Sequence, residues 1–310
     1  MNILQNENLI IESSSFGAEL TKIFSKKYDK NILWDGNKKY WGRQSPILFP
    51  IVGKLFDNET IIEENLYSMT QHGFTRDMDF EIVDKGDAFI SYKLTDNEST
   101  LKKYPYSFDL IINYTLNDNS IEVEWIVKNT DSKDIFFSIG GHPAFNLPFY
   151  EQNDFSKHYL EFKSKNDVEK INLNGSFTDD IISIGKLKNL QLNPEVFKND
   201  ALIYTNIDEV SICNNDGSKY VTISMEDFPL VGIWTPYYSE TNSTAPFLCI
   251  EPWYGLADSI NSNKIYKDKK FINKLSSLLF ILPGPPLYAI NPISMLPPNI
   301  SMYSLICLVP

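Results

Sequence analysis

From Ser107 the chain reads SFDLIINYTL, and Phe108, Leu110, Ile112, Tyr114 and Leu116 occupy every second position between more polar neighbours. A period of two puts those side chains on one face of an extended strand. The pattern breaks at Asn117–Ser120 and resumes with Ile121, Val123 and Trp125, which predicts a hairpin over 107–129. A second hairpin is predicted over 209–225, where Asp216–Gly217 supplies the turn, and a third over 80–94, turning at Lys85–Gly86. Helical windows are scarce; NESTLKKY (97–104) is the one short helix the pattern offers. Strand-like runs recur at intervals of roughly 10 residues to about residue 255. With no repeat and no Gly/Ser-rich linker, this predicts a single all-β domain, a large antiparallel sandwich or barrel, over 1–275.

Past that point the pattern changes. Residues 276–310 carry no charge and hold seven of the chain's 17 prolines, which marks an atypical tail. LLFIL (278–282) and SMYSLICLV (301–309) are apolar but too short to span a bilayer. The tail reads as an apolar strand or extended arm on the sandwich, or as a change of reading frame. It is expected to contribute little to a functional site, so a chain ending at Lys274 should keep most of its activity.

Composition narrows the partners. The formal net charge is −12 and no basic run tracks a phosphate backbone, which argues against nucleic acid. Aromatics make up 14% of the residues, enough to fill a core and still line a groove with rings. Cys213, Cys249 and Cys307 are odd in number and widely spaced, as expected of free thiols in a reducing compartment. MNILQNENLIIESS lacks the basic and apolar regions of a signal peptide, so the expectation is a cytoplasmic protein with no membrane association.

Four segments set ionisable groups beside Gly, Pro and aromatic residues: WGRQSPILFPIVGKL (41–55), QHGFTRD (71–77), GGHPAFNLP (140–148) and FLCIEPWYGLAD (247–258). Glu251 is the sharpest, because a carboxylate ending the apolar run Phe-Leu-Cys-Ile is costly unless paired or useful. Each group also suits a plainer role. His72 before Gly73 suits a turn, Arg43, Lys54 and Arg76 suit solvated or paired surfaces, and His158 in FSKHYLEF reads as a surface strand residue. Two histidines and a glutamate permit a metal, but nothing in their spacing singles one out.

In this order and spacing, SPILFPIVGKL, QHGFTRD, GGHPAFNLP and IEPW resemble the aldose 1-epimerase (galactose mutarotase) superfamily, nearest its bacterial LacX-like branch. The resemblance spans roughly residues 1–275. It implies a β-supersandwich and a cofactor-free, metal-free interconversion of hexopyranose anomers, by a monomer or homodimer. Carried over by position, Glu251 resembles the family's general base and His142 its general acid. His72 resembles the second, sugar-binding histidine, and Asp200 the aspartate that holds sugar hydroxyls. The family's arginine near the first motif has two candidates here, Arg43 and Lys54. Trp41, Trp234, Trp253 and Phe74 are candidates to stack on the sugar, at least two of them being expected in the core instead. The glycines of GGHPAFN are expected to let the backbone approach the sugar, with Pro143 stiffening the segment. Two alternatives stay open: a hexose-6-phosphate epimerase gripping phosphate through Arg43, Lys54 or Arg76, and a carbohydrate-binding protein without catalysis.

Overall fold

Phe108–Asn117 and Ser120–Asn129 pair antiparallel from Phe108 opposite Asn129 to Asn117 opposite Ser120, so the alternation seen in the sequence becomes one buried face. This hairpin belongs to a nine-stranded antiparallel sheet in the computed structural model, which describes residues 1–147, 154–164, 166–277 and 299–308. The strand order is Asn189–Gln191, His158–Lys163, Glu209–Asn214, Lys219–Ser224, Asn299–Leu308, Ser120–Asn129, Phe108–Asn117, Phe89–Thr95 and Glu81–Lys85. The other two predicted hairpins are both present, as Glu209–Asn214 with Lys219–Ser224 and Glu81–Lys85 with Phe89–Thr95. The predicted helix is Glu98–Leu101; the Asn97 side chain accepts from the Ser99 and Thr100 amides and closes a capping box.

A second, eight-stranded sheet runs Phe177–Gly185, Val168–Asn174, Leu202–Thr205, Leu230–Trp234, Phe247–Tyr254, Ile139–Gly141 and Ile47–Leu48. Ala144–Asn146 also pairs with Phe247–Tyr254. The two sheets share one apolar core, where Leu110, Ile112 and Val123 of the first join Ile233, Leu248 and Ile250 of the second. The architecture is the all-β sandwich expected. Among the described residues no helix is long and apolar enough to cross a membrane.

Two expectations are corrected. His158 is not on the surface: it is fully buried, on the same side of its strand as Leu160 and Phe162, because the period of two carries all three inward. Nor is everything after 275 an appendage. Residues 299–308 fill the middle of the nine-stranded sheet, with Ser120–Asn129 on one side and Lys219–Ser224 on the other. LLFIL and the prolines that follow it lie outside the described residues.

The position of that strand reverses the expectation for a chain ending at Lys274. Met302, Ile306 and Leu308 are at most 6% exposed. Burying each contributes about 1.5–3 kcal/mol, which together approaches the whole stability of a domain, about 5–15 kcal/mol. Two long strands would also lose their backbone partners. The shortened protein is expected to lose its native β signal in circular dichroism and its cooperative thermal transition. Retention of both would make the strand dispensable.

Candidate active site

The strand Phe247–Tyr254 crosses the centre of the eight-stranded sheet, and alternation divides its side chains. Leu248 and Ile250 enter the core between the sheets, while Cys249, Glu251 and Trp253 face the other way. Glu251 lies opposite Gly232, and Trp253 lies between Leu230 and Gly140. Those two glycines make room for the indole. A Cβ on Gly232 would come within 2.6 Å of the Trp253 ring, and one on Gly140 within 2.7 Å. A Cβ on Gly141 would meet the Trp125 ring at 3.1 Å. The glycines of GGHPAFN thus make room for tryptophans, a packing role the sequence reading did not include.

His142 is suspended between two segments. Its amide donates to the Pro46 carbonyl at 3.1 Å and that of Ala144 to Gln44 at 2.9 Å, while the Pro143 carbonyl accepts from the Ile250 amide at 3.3 Å. Held so, its Nε2 lies 3.2 Å from Oε2 of Glu251. The contact is too poorly aligned to be a hydrogen bond, so neither group is committed to the other. The Trp41 ring stacks on the imidazole at a centroid distance of 4.7 Å, and Trp234 meets it edge-on at 5.6 Å.

His72 is fixed differently. It has φ 67°, and a Cβ on Gly73, at φ 75°, would fall 2.2 Å from the Phe49 carbonyl oxygen, so only glycine fits there. The turn allows reciprocal bonds: the His72 amide donates to the Gly53 carbonyl at 2.8 Å, and the Gly53 amide donates to His72 Nδ1 at 3.1 Å. A ring nitrogen that accepts is unprotonated, so the neutral imidazole carries its proton on Nε2. Burial, then the neighbouring His142, Arg76 and Arg43, hold its pKa well below 6.5. His72 is therefore a neutral donor, 5.5 Å between centroids from His142.

The structure brings six of the eight sequence candidates, Glu251, His142, His72, Asp200, Arg76 and Trp253, to the lining of one cleft of about 400 Å³. That volume suits a small ligand. Asp200 stands at its rim, where the Trp234 indole N–H donates to it; partial burial raises its pKa against that bond. Arg76 donates to the Gln71 carbonyl at 2.6 Å, and its Nε, buried without a hydrogen bond, lies 3.9 Å from Asp77. Arg43 and Lys54 do not line the cleft. Arg43 binds Asp77 at 2.7 Å behind Arg76, and the Lys54 ammonium lies 5.8 Å from the Phe177 ring centroid. Of the aromatic candidates, Trp41 and Trp234 are half-buried in the cleft wall, Trp253 is buried beneath it and Phe74 belongs to the core.

The electrostatics set Glu251 and His142 apart. Burial, reinforced by the Asp200 carboxylate, holds the Glu251 pKa well above 4.5, and the Trp253 indole opposes this. Burial is also the main cause that lowers His142, to about 3, and Arg76 and Arg43 add to it. Burial thus raises the proton affinity of the carboxyl group and lowers that of the imidazole beside it. Sequence reasoning passed over two residues here. Gln71 lines the cleft with its amide nitrogen 3.3 Å from His72 Nε2, and Cys249 lies buried beside the pair. The second was detectable, since it stands two positions before Glu251 on one strand. One ligand atom each from His142, Cys249 and Glu251 lies within 4.8 Å of the other two.

Comparison with known proteins identifies the family. The sequence matches the aldose 1-epimerase family over residues 2–268. It is 30% identical over 291 residues to the plasmid-borne protein LacX of Lactococcus lactis subsp. lactis, covering 89% of this chain and 94% of that one. Among solved structures, a galactose mutarotase related enzyme from Lactobacillus acidophilus superposes with a TM-score of 0.87 at 29% identity, over 100% of this chain and 97% of that one. A galactose mutarotase-like protein from Lactobacillus casei also gives 0.87, at 27% identity and 100% coverage of both chains. Sequence, fold and cleft concur: the chain belongs to the aldose 1-epimerase family.

Proposed function

We propose that the protein interconverts the α and β anomers of a free hexopyranose, with Glu251 as general base and His142 as general acid. The observation that carries this reading is the pair itself: two uncommitted groups 3.2 Å apart in the cleft, with pKa values displaced in opposite directions. Glu251 takes the proton of the anomeric O1 while His142 gives one to the ring oxygen O5. The C1–O5 bond breaks and an open-chain aldehyde forms. Rotation about C1–C2 presents the other carbonyl face; O5 then attacks C1, its proton returns to His142, and Glu251 returns the first proton to O1.

The displacements favour this assignment. A carboxylate whose proton affinity is raised is a stronger base, and an imidazolium whose affinity is lowered is a stronger acid. Ring opening moves the proton toward the arrangement that burial prefers. The total stays at one, so no solvent proton enters the cycle. His72, as a neutral donor, and Asp200, as an acceptor, suit hydroxyl groups, and the Trp41 and Trp234 rings offer an apolar wall. An acid–base pair of this kind has no evident use in a protein that only binds sugar.

One observation favours a phosphorylated sugar: the buried Nε of Arg76 has no hydrogen-bond partner. Replacing Arg76 with Met distinguishes the two substrates. For a free hexose, anomer exchange followed by NMR should show similar, small KM changes for hexoses and their 6-phosphates. A sharp KM rise confined to the phosphates would transfer the reading to a hexose-6-phosphate epimerase.

Glu251→Gln keeps shape and removes the base, so kcat should fall by roughly 10²-fold or more while binding changes little. His142→Asn should behave alike, and the double variant should lose less than the product of the two. Polarimetry on freshly dissolved α-glucose and α-galactose, with circular dichroism as the folding control, reads this directly. A folded Glu251→Gln protein with near wild-type rates would place the base elsewhere.

The pH profile offers an independent check. The working pair holds one proton, so activity falls when a second is gained or the first is lost. Gain is governed by His142, whose pKa is lowered, so the acid limb of kcat/KM should lie below 6.5. Loss is governed by Glu251, whose pKa is raised, so the basic limb should lie above 4.5. An acid limb at 6.5, that of an ordinary imidazole, would contradict the assignment.

A further inference from the structure

We propose that His142, Cys249 and Glu251 form a binding site for a thiophilic divalent cation of the Zn²⁺ class, and that an ion bound there shuts down the acid–base pair. Only the inhibitory half depends on the catalytic reading above. The site itself depends on placement. Strand alternation puts Cys249 and Glu251 on one face, and His142 reaches the same point from the 140–146 segment, so one ligand atom from each lies within 4.8 Å of the others. At metal–ligand lengths of about 2.0–2.3 Å, atoms sharing a tetrahedral ion stand roughly 3–4 Å apart. Closing that gap takes shifts of less than about an ångström per side chain.

Three further features suit a cation. The donors are imidazole nitrogen, thiol sulfur and carboxylate oxygen, the set that zinc and its neighbours prefer over magnesium or calcium. Oε2 of Glu251 is buried, makes no hydrogen bond and lies 3.2 Å from Nε2 of His142, so an ion shared by these two atoms would not break a hydrogen bond at the carboxyl oxygen. His142 and Glu251 line the cleft, which gives the ion an entry path and leaves a fourth position open. The Asp200 carboxylate, close enough to act on Glu251, adds negative potential. On binding, the Cys249 thiol releases its proton to solvent and a metal–thiolate bond forms, while the Glu251 carboxylate binds through an oxygen lone pair. With both reactive groups held by the ion, neither can exchange a proton with a sugar.

The test uses Co²⁺ as a spectroscopic substitute and Zn²⁺ as inhibitor, on the full chain. Co²⁺ should produce a thiolate-to-cobalt charge-transfer band in the near ultraviolet together with the visible bands of a four-coordinate ion. Zn²⁺ should abolish those bands and inhibit anomer exchange reversibly, with recovery on chelation. Cys249→Ala should lose the charge-transfer band, bind Zn²⁺ at least roughly 10-fold more weakly and keep its metal-free exchange rate. That variant also separates this site from Cys213 and Cys307. A wild-type spectrum without the thiolate band, or a variant with unchanged Zn²⁺ affinity, overturns the proposal. If the band appears and responds to Cys249→Ala but the protein exchanges no anomers, the metal site stands and the catalytic reading fails.

Discussion

The site depends on how one buried strand accommodates a carboxyl group. Phe247–Tyr254 is almost entirely buried, and Glu251 is 1% exposed. An ionised carboxylate in that position would cost several kcal/mol without compensation. No lysine or arginine pairs with Glu251 among the described residues; burial instead raises its proton affinity, and the adjacent group is an imidazole. A lysine in place of His142 would make an ion pair with no easily transferred proton, which would suit structure better than proton transfer.

The surroundings of that strand follow from the bulk of Trp253. Its indole occupies the face of the sheet where neighbouring strands would normally place side chains, and the strands on either side carry Gly140 and Gly232 there. The ring forms the floor of the cleft and shields one side of the carboxyl group from water. Trp41 and Trp234 close in around His142. Burial is consequently the largest cause of the displacement on both members of the pair. Hydrogen bonding opposes it on both, from the Trp253 indole at Glu251 and from backbone at His142, while Asp200 is tied to Trp234 and His72 is held in one tautomer by Gly53.

Much of this was legible in the sequence, and the failures have physical reasons. Hairpins were readable because alternation and turn chemistry are local, and the Glu98–Leu101 helix because Asn97 caps it. The motif residues were readable because a carboxylate after an apolar run is anomalous by itself. His158 was misjudged although its alternation with Leu160 and Phe162 was present, because a polar side chain was weighed above the period. The tail was read as an apolar strand or arm, but the place of Asn299–Leu308 inside the sheet was hidden for another reason. Its partners are some 80 and 180 residues away in sequence, and no local pattern shows that a gap between Ser120–Asn129 and Lys219–Ser224 needs filling. Choosing among Arg43, Lys54 and Arg76 likewise required the fold, since Asp77 draws Arg43 behind Arg76.

The arginines also give the cleft a direction. Arg76 and Arg43 lie on the side of His72 and His142, and both lower the affinity of these imidazoles for protons. Asp200 acts on the opposite member of the pair and raises the affinity of Glu251. Positive charge thus acts on the imidazoles and negative charge on the carboxyl group. The pair is separated by only 3.2 Å, yet each member experiences the charge that pushes it further from its ordinary pKa. Burial alone would make both groups neutral. The added charges favour the carboxylate as acceptor and the imidazolium as donor, an ordering that supports the proposed roles of Glu251 as base and His142 as acid.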